Sequence, residues 1–335
     1  MSILLVVQAG HDATSTRDHQ MLRFGDSTVL DVALSRLQAF DGGPVVLATS
    51  DLPGDNALDE IARNRDAATV RGPSDDLLAR FVEVIADYPA EHLVRLRVNS
   101  PLIDHHLVSE VVQAHLSSNA DYTSNTLLRT HPQGLDVEVI RSDALLDAAE
   151  QANTASERAG VTTFVQRRPS EYNLHAVVAT GDYEDHAWAV TDTESAERVT
   201  QLVAKSGGDL GKPWDSYLSY DRPISPDQPV RLRVARANVV AANPDFTETI
   251  GYPPDPFPLY EASRRSWGVW QGERLIGSVV VSVQNGWGTL AGSFVPGLAD
   301  HVADQTLAAL DERLRADAQV IALTIDGSRI RNYQD

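Results

Sequence analysis

The sequence contains no cysteine. That removes disulfides, thiolate zinc sites and cysteine nucleophiles together. Lysine is almost as scarce: it occurs only at Lys205 and Lys212, so no mechanism can rely on a lysine ammonium in the first 204 positions. Positive charge is in the minority overall, with 28 Lys and Arg against 47 Asp and Glu and a formal net charge of -19. Such a surface repels nucleic-acid backbones and anionic lipid headgroups, so neither is an expected partner, and any anion site must be local. No apolar run approaches the ~20 residues that span a bilayer, and no basic region precedes the short apolar run at the N-terminus. A soluble cytoplasmic protein is the expectation.

What is present is a regular alternation. Strand-like apolar runs at 2–8, 44–49, 93–98, 136–140 and 174–179 are separated by helical periodicity near 28–40, 56–65, 75–87, 105–117, 143–152 and 157–168. This predicts an α/β domain with a mostly parallel sheet covered on both faces. Ser74 before Asp75 and Asp76, and Asp104 before the 105–117 pattern, mark helix starts. From 206 to 229 the chain turns to Gly, Pro, Ser and Asp without periodicity and reads as a linker, which divides the 335 residues into domains 1–205 and 230–335. The second domain reads as α+β, with strands at 230–236, 266–271, 274–284 and 288–295, a hairpin about Gln271-Gly272-Glu273, a helix at 299–315 and a strand at 318–325.

Ligands of open α/β sheets bind beyond the carboxyl ends of the strands. The first such end reads VVQAGHDATSTRDHQML from Val6 to Leu22, a strand running into a loop of small and polar residues, which is the grammar of a phosphate cradle. Its one strong cation is Arg17; Asp12 and Asp18 oppose an anion, and His11 and His19 add charge only when protonated. Asp136 and Glu138, two apart on an expected strand, point to one side, with Arg129 the nearest candidate partner. The neighbours His105 and His106 suggest a metal, but about 100° of helical rotation between them argues against a shared site.

Several segments coincide with a known pattern. ATSDLPGDNALDEIA at 48–62, RGPSDDLLARF at 71–81, VRLRVNSPLID at 94–104, DYTSNTLLRTHPQGLDVEVI at 121–140 and WAVTDTESAERV at 188–199 resemble the spore-coat polysaccharide type of cytidylyltransferase, a branch of the CMP-sugar synthetases. The resemblance covers roughly residues 1 to 205. It implies a nucleotide-diphospho-sugar transferase fold, Rossmann-like, and attack of a sugar or hydroxy-acid hydroxyl on the α-phosphorus of CTP with loss of pyrophosphate, aided by Mg2+. Carried over position by position, it implies a nucleotide site at Gln8, Ala9, Gly10, Ser15, Arg17, Arg71, Asn99 and Ser100, and an acceptor site at Asn125, Arg129, Asp136 and Glu138. Asp192 and Asn99 are the implied metal ligands, and Arg17, Asp136 and Asp192 the catalytic set. The chain departs from the pattern where Gly10 replaces an arginine, Met21 a lysine, Asn99 an aspartate, and Ala159-Gly160 a Glu-His pair. The acceptor side is preserved while the triphosphate side is eroded, which leaves a cytidylyltransferase and a non-catalytic sugar- or nucleotide-binding relative as competing expectations.

The C-terminal hairpin WGVWQGERLIGSVVV, with the strand, helix and strand after it, loosely resembles the core of GNAT-type acetyltransferases. A third alternative is therefore an acyltransferase in polysaccharide biosynthesis. The helix start there reads PGLADHVADQ, acidic and without paired glycines, so a structural or dimerisation module is expected, making a homodimer an expectation too.

Overall fold

The apolar alternation of the first two hundred residues becomes a seven-stranded sheet. In the computed structural model the described residues are 2–10, 19–221, 231–233, 264–271, 274–284, 287–294, 301–316, 322–325 and 328–332. The chain divides into two compact units, one of residues 1–165 and 170–224, the other of 166–169 and 225–335. Among the described residues no helix is long and apolar enough to cross a membrane.

In the first unit the strands are β1 (Ile3–Gln8), a small hairpin of β2 (Arg23–Phe24) and β3 (Ser27–Thr28), β4 (Val45–Ser50), β5 (Ala68–Gly72), β6 (His92–Arg97), β7 (Tyr122–Ser124), β8 (Val137–Arg141) and β9 (Leu174–Ala176). The main sheet has the order β5-β4-β1-β6-β8-β7-β9. β1 lies parallel between β4 and β6, and β8 runs antiparallel to both of its neighbours, β6 and β7. The helices are α1 (Val29–Leu37), α2 (Asn56–Asn64), α3 (Leu77–Asp87), α4 (His105–Ser118), α5 (Ser142–Gln151), α6 (Ala155–Arg158), α7 (Thr163–Gln166) and α8 (Thr193–Lys205).

Side chains of β1 alternate between two cores, because successive residues of a strand point to opposite faces. Leu5 and Val7 pack with residues of α1, α2, α4 and α8, while Leu4 and Val6 pack with residues of α3 and α5 and with Phe164 and Val165 of α7. Burial on both faces explains the nearly continuous apolar reading of the central strands. Asp104 caps α4 as expected, accepting from the backbone N–H of His106 at 2.8 Å. At α3 the cap is Asp76, accepting from Ala79 at 2.8 Å, so the helix starts later than the Ser74 signal suggests. The expected helix at 157–168 is two short ones, α6 and α7, interrupted around Gly160 and the β-branched Val161 and Thr162, which favour helix weakly.

The linker expectation needs correction from its N-terminal side. Trp214–Tyr220 form a 3-10 helix whose Tyr217 is fully buried against Trp188. Arg36 donates to the Lys212 carbonyl at 3.1 Å, Trp214 N donates to Asp104 Oδ2 at 2.8 Å, and Asp221 Oδ2 accepts from Trp188 Nε1 at 2.5 Å and pairs with His186 Nδ1 at 2.9 Å. Those bonds bind 206–221 into the first unit, while 222–229 lie outside the described residues.

The second unit carries a six-stranded sheet, β10 (Arg231–Arg233), β11 (Arg264–Gln271), β12 (Arg274–Gln284), β13 (Trp287–Phe294), β14 (Ala322–Ile325) and β15 (Ser328–Asn332), paired in that order, with helix α9 (His301–Ala316). All pairs are antiparallel except β13 with β14. Its core joins Trp267, Val269, Ile276, Val279 and Val281 to Val302, Leu310 and Leu314 of α9.

Candidate active site

At the carboxyl edge of the main sheet, β1 ends at Gln8, β4 at Ser50, β5 at Gly72 and β6 at Arg97, while β8, running the other way, begins there at Val137. Gly10 opens the loop after β1 with φ +93°, a conformation that L side chains rarely adopt. A Cβ on Gly10 would stand 2.3 Å from Asp55 Oδ2 and 2.5 Å from Thr49 Oγ1. No arginine fits at this position without moving the backbone, so the departure from the family pattern is built into the local geometry. Arg17 and Ser15 lie outside the described residues.

Asp55, 1% exposed, accepts from Ser50 Oγ and so fixes the β4–α2 turn beneath Gly10. The family resemblance implies Arg71 at the nucleotide; in the structure its guanidinium donates to the carbonyls of Ser50 (2.9 Å) and Asp55 (3.3 Å) and pairs with Asp59 (2.8 Å). Arg71 braces the turn from within the protein, because its stem leaves β5 directly beside β4.

Gln8 and Glu138 are likewise turned inward. Arg95, 5% exposed, donates through Nε and Nη2 to Gln8 Oε1 at 2.9 and 2.7 Å and through Nη1 to Glu138 Oε1. Glu138 Oε2 accepts from Tyr122 OH at 3.0 Å and from Thr162 Oγ1 at 2.5 Å. Burial lowers the Arg95 guanidinium and raises the Tyr122 phenol well above its ordinary value. Glu138, expected on the acceptor, is thus the counter-charge of a buried arginine. The strand LVRLRV carried the signal for Arg95, since two arginines at a spacing of two on a central strand share one face.

Asp136 has a different partner. Arg129 holds it with two hydrogen bonds, Nη1 to Oδ1 at 2.7 Å and Nη2 to Oδ2 at 3.1 Å, in a partly exposed pair. Burial alone would raise the Asp136 carboxyl, but Arg129, assisted by Arg97 and Arg95, carries it below its ordinary value. Asn125 does not face outward: it is buried, its Nδ2 donating to Leu135 O at 2.7 Å and its Oδ1 accepting from Val137 N at 2.9 Å. That bridge spans Asp136 and fixes its backbone. On the far side Gly134, at φ +92°, brings the loop so close to the Trp188–Ala189 backbone that a Cβ would lie 2.3 Å from Ala189 N.

Val190 N donates to Asn99 O at 2.8 Å and so sets the segment before Asp192 beside the end of β6. Asp192 is the N-cap of α8, with Oδ1 accepting from Ser195 N at 2.8 Å in a reciprocal capping box. Ser100 is buried, and its Oγ has no hydrogen-bond partner among the described residues. Contrary to the 100° argument, one ligand atom each from Asp104, His105 and His106 falls within 4.8 Å, the two rings lying 4.0 Å apart. Both Asp104 oxygens already accept backbone N–H groups, from His106 and Trp214, each at 2.8 Å.

Comparison with known proteins gives the chain its class, an enzyme that transfers a nucleotidyl group from CTP. The cytidylyltransferase family profile matches residues 4–205, and the chain belongs to that family. The spore coat polysaccharide biosynthesis protein SpsF of Bacillus subtilis is 28% identical over 213 residues, covering 61% of this chain and 88% of that protein. An uncharacterized protein of Methanocaldococcus jannaschii is 28% identical over 177 residues, covering 52% of this chain and 71% of its own. The solved cytidylyltransferase of Leptospira borgpetersenii shares the fold, with a TM-score of 0.62 at 22% identity over 65% of this chain and 93% of that one.

Proposed function

We propose that the first unit transfers the cytidylyl group of CTP to the hydroxyl of a sugar or related hydroxy acid destined for polysaccharide assembly. The acceptor oxygen forms a bond to the α-phosphorus, the bond from that phosphorus to the bridging oxygen breaks, and pyrophosphate leaves. The observation that carries this reading is the Arg129–Asp136 pair, braced by Asn125 beside the end of β6 and across the sheet edge from the Gly10 loop. Asp136 stays ionised and is a weak base because its carboxyl is held low, so it suits accepting a hydrogen bond from the acceptor hydroxyl and orienting it. Gly10 leaves the cradle floor free of side chain, so backbone N–H groups can approach phosphate oxygens. Arg17 supplies a cation to the same phosphates.

The residues present fit a hard dication. Asn99 and Asp192 offer an amide and a carboxylate oxygen on segments joined by the Val190–Asn99 hydrogen bond, and magnesium commonly takes one or two protein oxygens with phosphates and water as its remaining ligands. When bound there it supplies charge neutralisation on the triphosphate. For the second unit we read a GNAT-like core, supported by α9 connecting the parallel pair β13 and β14 within an otherwise antiparallel sheet. Its role in this reading is structural.

Titration calorimetry tests the assignment. CTP binding that needs magnesium and is weakened by Arg17→Ala is expected; no CTP or CMP binding at millimolar ligand overturns it. Pyrophosphate release with a panel of neutral and acidic sugars then identifies the acceptor.

A further inference from the structure

The expected site residues leave one arginine of this edge unaccounted for. Arg97 is the last residue of β6, is exposed, and shares a strand face with the buried Arg95. Its register partner on β1 is Gln8, two residues before the Gly10 turn. On the other side the β6–β8 ladder ends with Leu96 opposite Val137, so the next position sets Asp136 across from Arg97. Arg97 therefore stands at the junction of the phosphate loop and the acceptor pair.

Its neighbours at the edge are already committed. Arg71 holds two carbonyls and Asp59, Arg95 holds Gln8 and Glu138, and Arg129 occupies both oxygens of Asp136. Among the described residues the Arg97 guanidinium makes no side-chain hydrogen bond or ion pair. In a chain of net charge -19, an exposed fork of N–H donors that no acid among the described residues holds by a hydrogen bond offers local positive charge at the carboxyl end of the central strands.

We propose that Arg97 is a phosphate-binding residue of this enzyme, donating to phosphate oxygens of the nucleotide from between the end of β1 and the start of β8. This assignment rests on the CTP reading above and deepens it: Arg97 supplies positive charge on the triphosphate side, where Gly10 and Met21 stand in place of cations. A guanidinium suits that task because its planar donors match two phosphate oxygens at once and its charge does not depend on pH. The acceptor side has its own arginine in Arg129, which favours phosphate over an acceptor carboxylate as the partner of Arg97.

The test compares wild type, Arg97→Ala and Arg97→Lys by calorimetry with CTP, CMP and cytidine at fixed magnesium, with the melting temperature as a control for folding. Arg97→Ala is expected to weaken CTP and CMP roughly tenfold or more, leave cytidine binding unchanged, and melt like wild type; Arg97→Lys recovers part of the loss. A CTP affinity within twofold of wild type overturns the proposal. So does an equal loss for cytidine, or an effect confined to the KM of acidic acceptors. If wild type binds no CTP, the functional reading fails separately, and sodium tripolyphosphate then decides on Arg97: binding lost in Arg97→Ala supports it, and equal binding overturns it.

Discussion

A buried arginine is tolerated only where its donors and its charge are both answered, and Arg95 meets that condition through Gln8 and Glu138. Glu138→Ala strands the guanidinium and two further hydroxyl donors, Tyr122 and Thr162, and is expected to destabilise the first unit by about 3 kcal/mol or more, read from denaturant midpoints. A second buried group responds to pH. His115 Nε2 faces His92 Nδ1 at 3.1 Å and its Nδ1 meets Thr123 Oγ1 at 2.9 Å; burial, with His92 and Arg141 nearby, lowers its pKa to about 4. Because this folded value lies below the unfolded one, the unfolded chain binds the extra proton first. Stability is therefore full above about pH 6.5 and falls as the pH drops toward 4, by up to about 3 kcal/mol from this group. Thermal melts of His115→Gln across that window are expected to show a shallower acid limb. The sequence spacing exposed the shared side of Asp136 and Glu138, but that Glu138 pairs with Arg95 depends on the register of β6 against β8, and no local pattern encodes that.

At the scale of elements, α8 links stability to the site, because its N-cap is the candidate metal ligand Asp192. Asp192→Ala removes the cap and is expected to cost about 1 kcal/mol of stability in addition to any effect on CTP. Asp192→Asn keeps a good cap and drops the charge, so near-wild-type melting with weakened magnesium-dependent CTP binding is expected; unchanged CTP binding in Asp192→Asn removes Asp192 from the metal site. The long central strands and most helices were legible as periodicity, since burial on one or both faces writes itself into residue type. The strand β5 was not, for ATVRG mixes polar and apolar residues and only two of its five positions are buried. The stretch 206–221 reads as a linker because Gly, Pro, Ser and Asp make up most of its composition, while the signal for packing is Trp214 and Tyr217, three apart and turned toward the core.

For the whole molecule, the extent of the first unit can be tested by truncation. A fragment of residues 1–224 is expected to fold with a cooperative melt, whereas 1–205 loses the Tyr217 plug and the Asp221 contacts to His186 and Trp188, and is expected to melt several degrees lower or aggregate. Equal melting of the two fragments would show that 206–221 are dispensable after all. The reversed direction of β8 has a wider consequence. On the β1 side of Arg97 the chain leaves the sheet into the loop after the first strand; on the β8 side it arrives into the sheet from the segment 125–136. The two segments are far apart in sequence and flank β6 from opposite sides. Either can be exchanged with that of a relative without re-registering the strands that carry the other, which makes β8 a natural seam for grafting new acceptor recognition onto an unchanged nucleotide half.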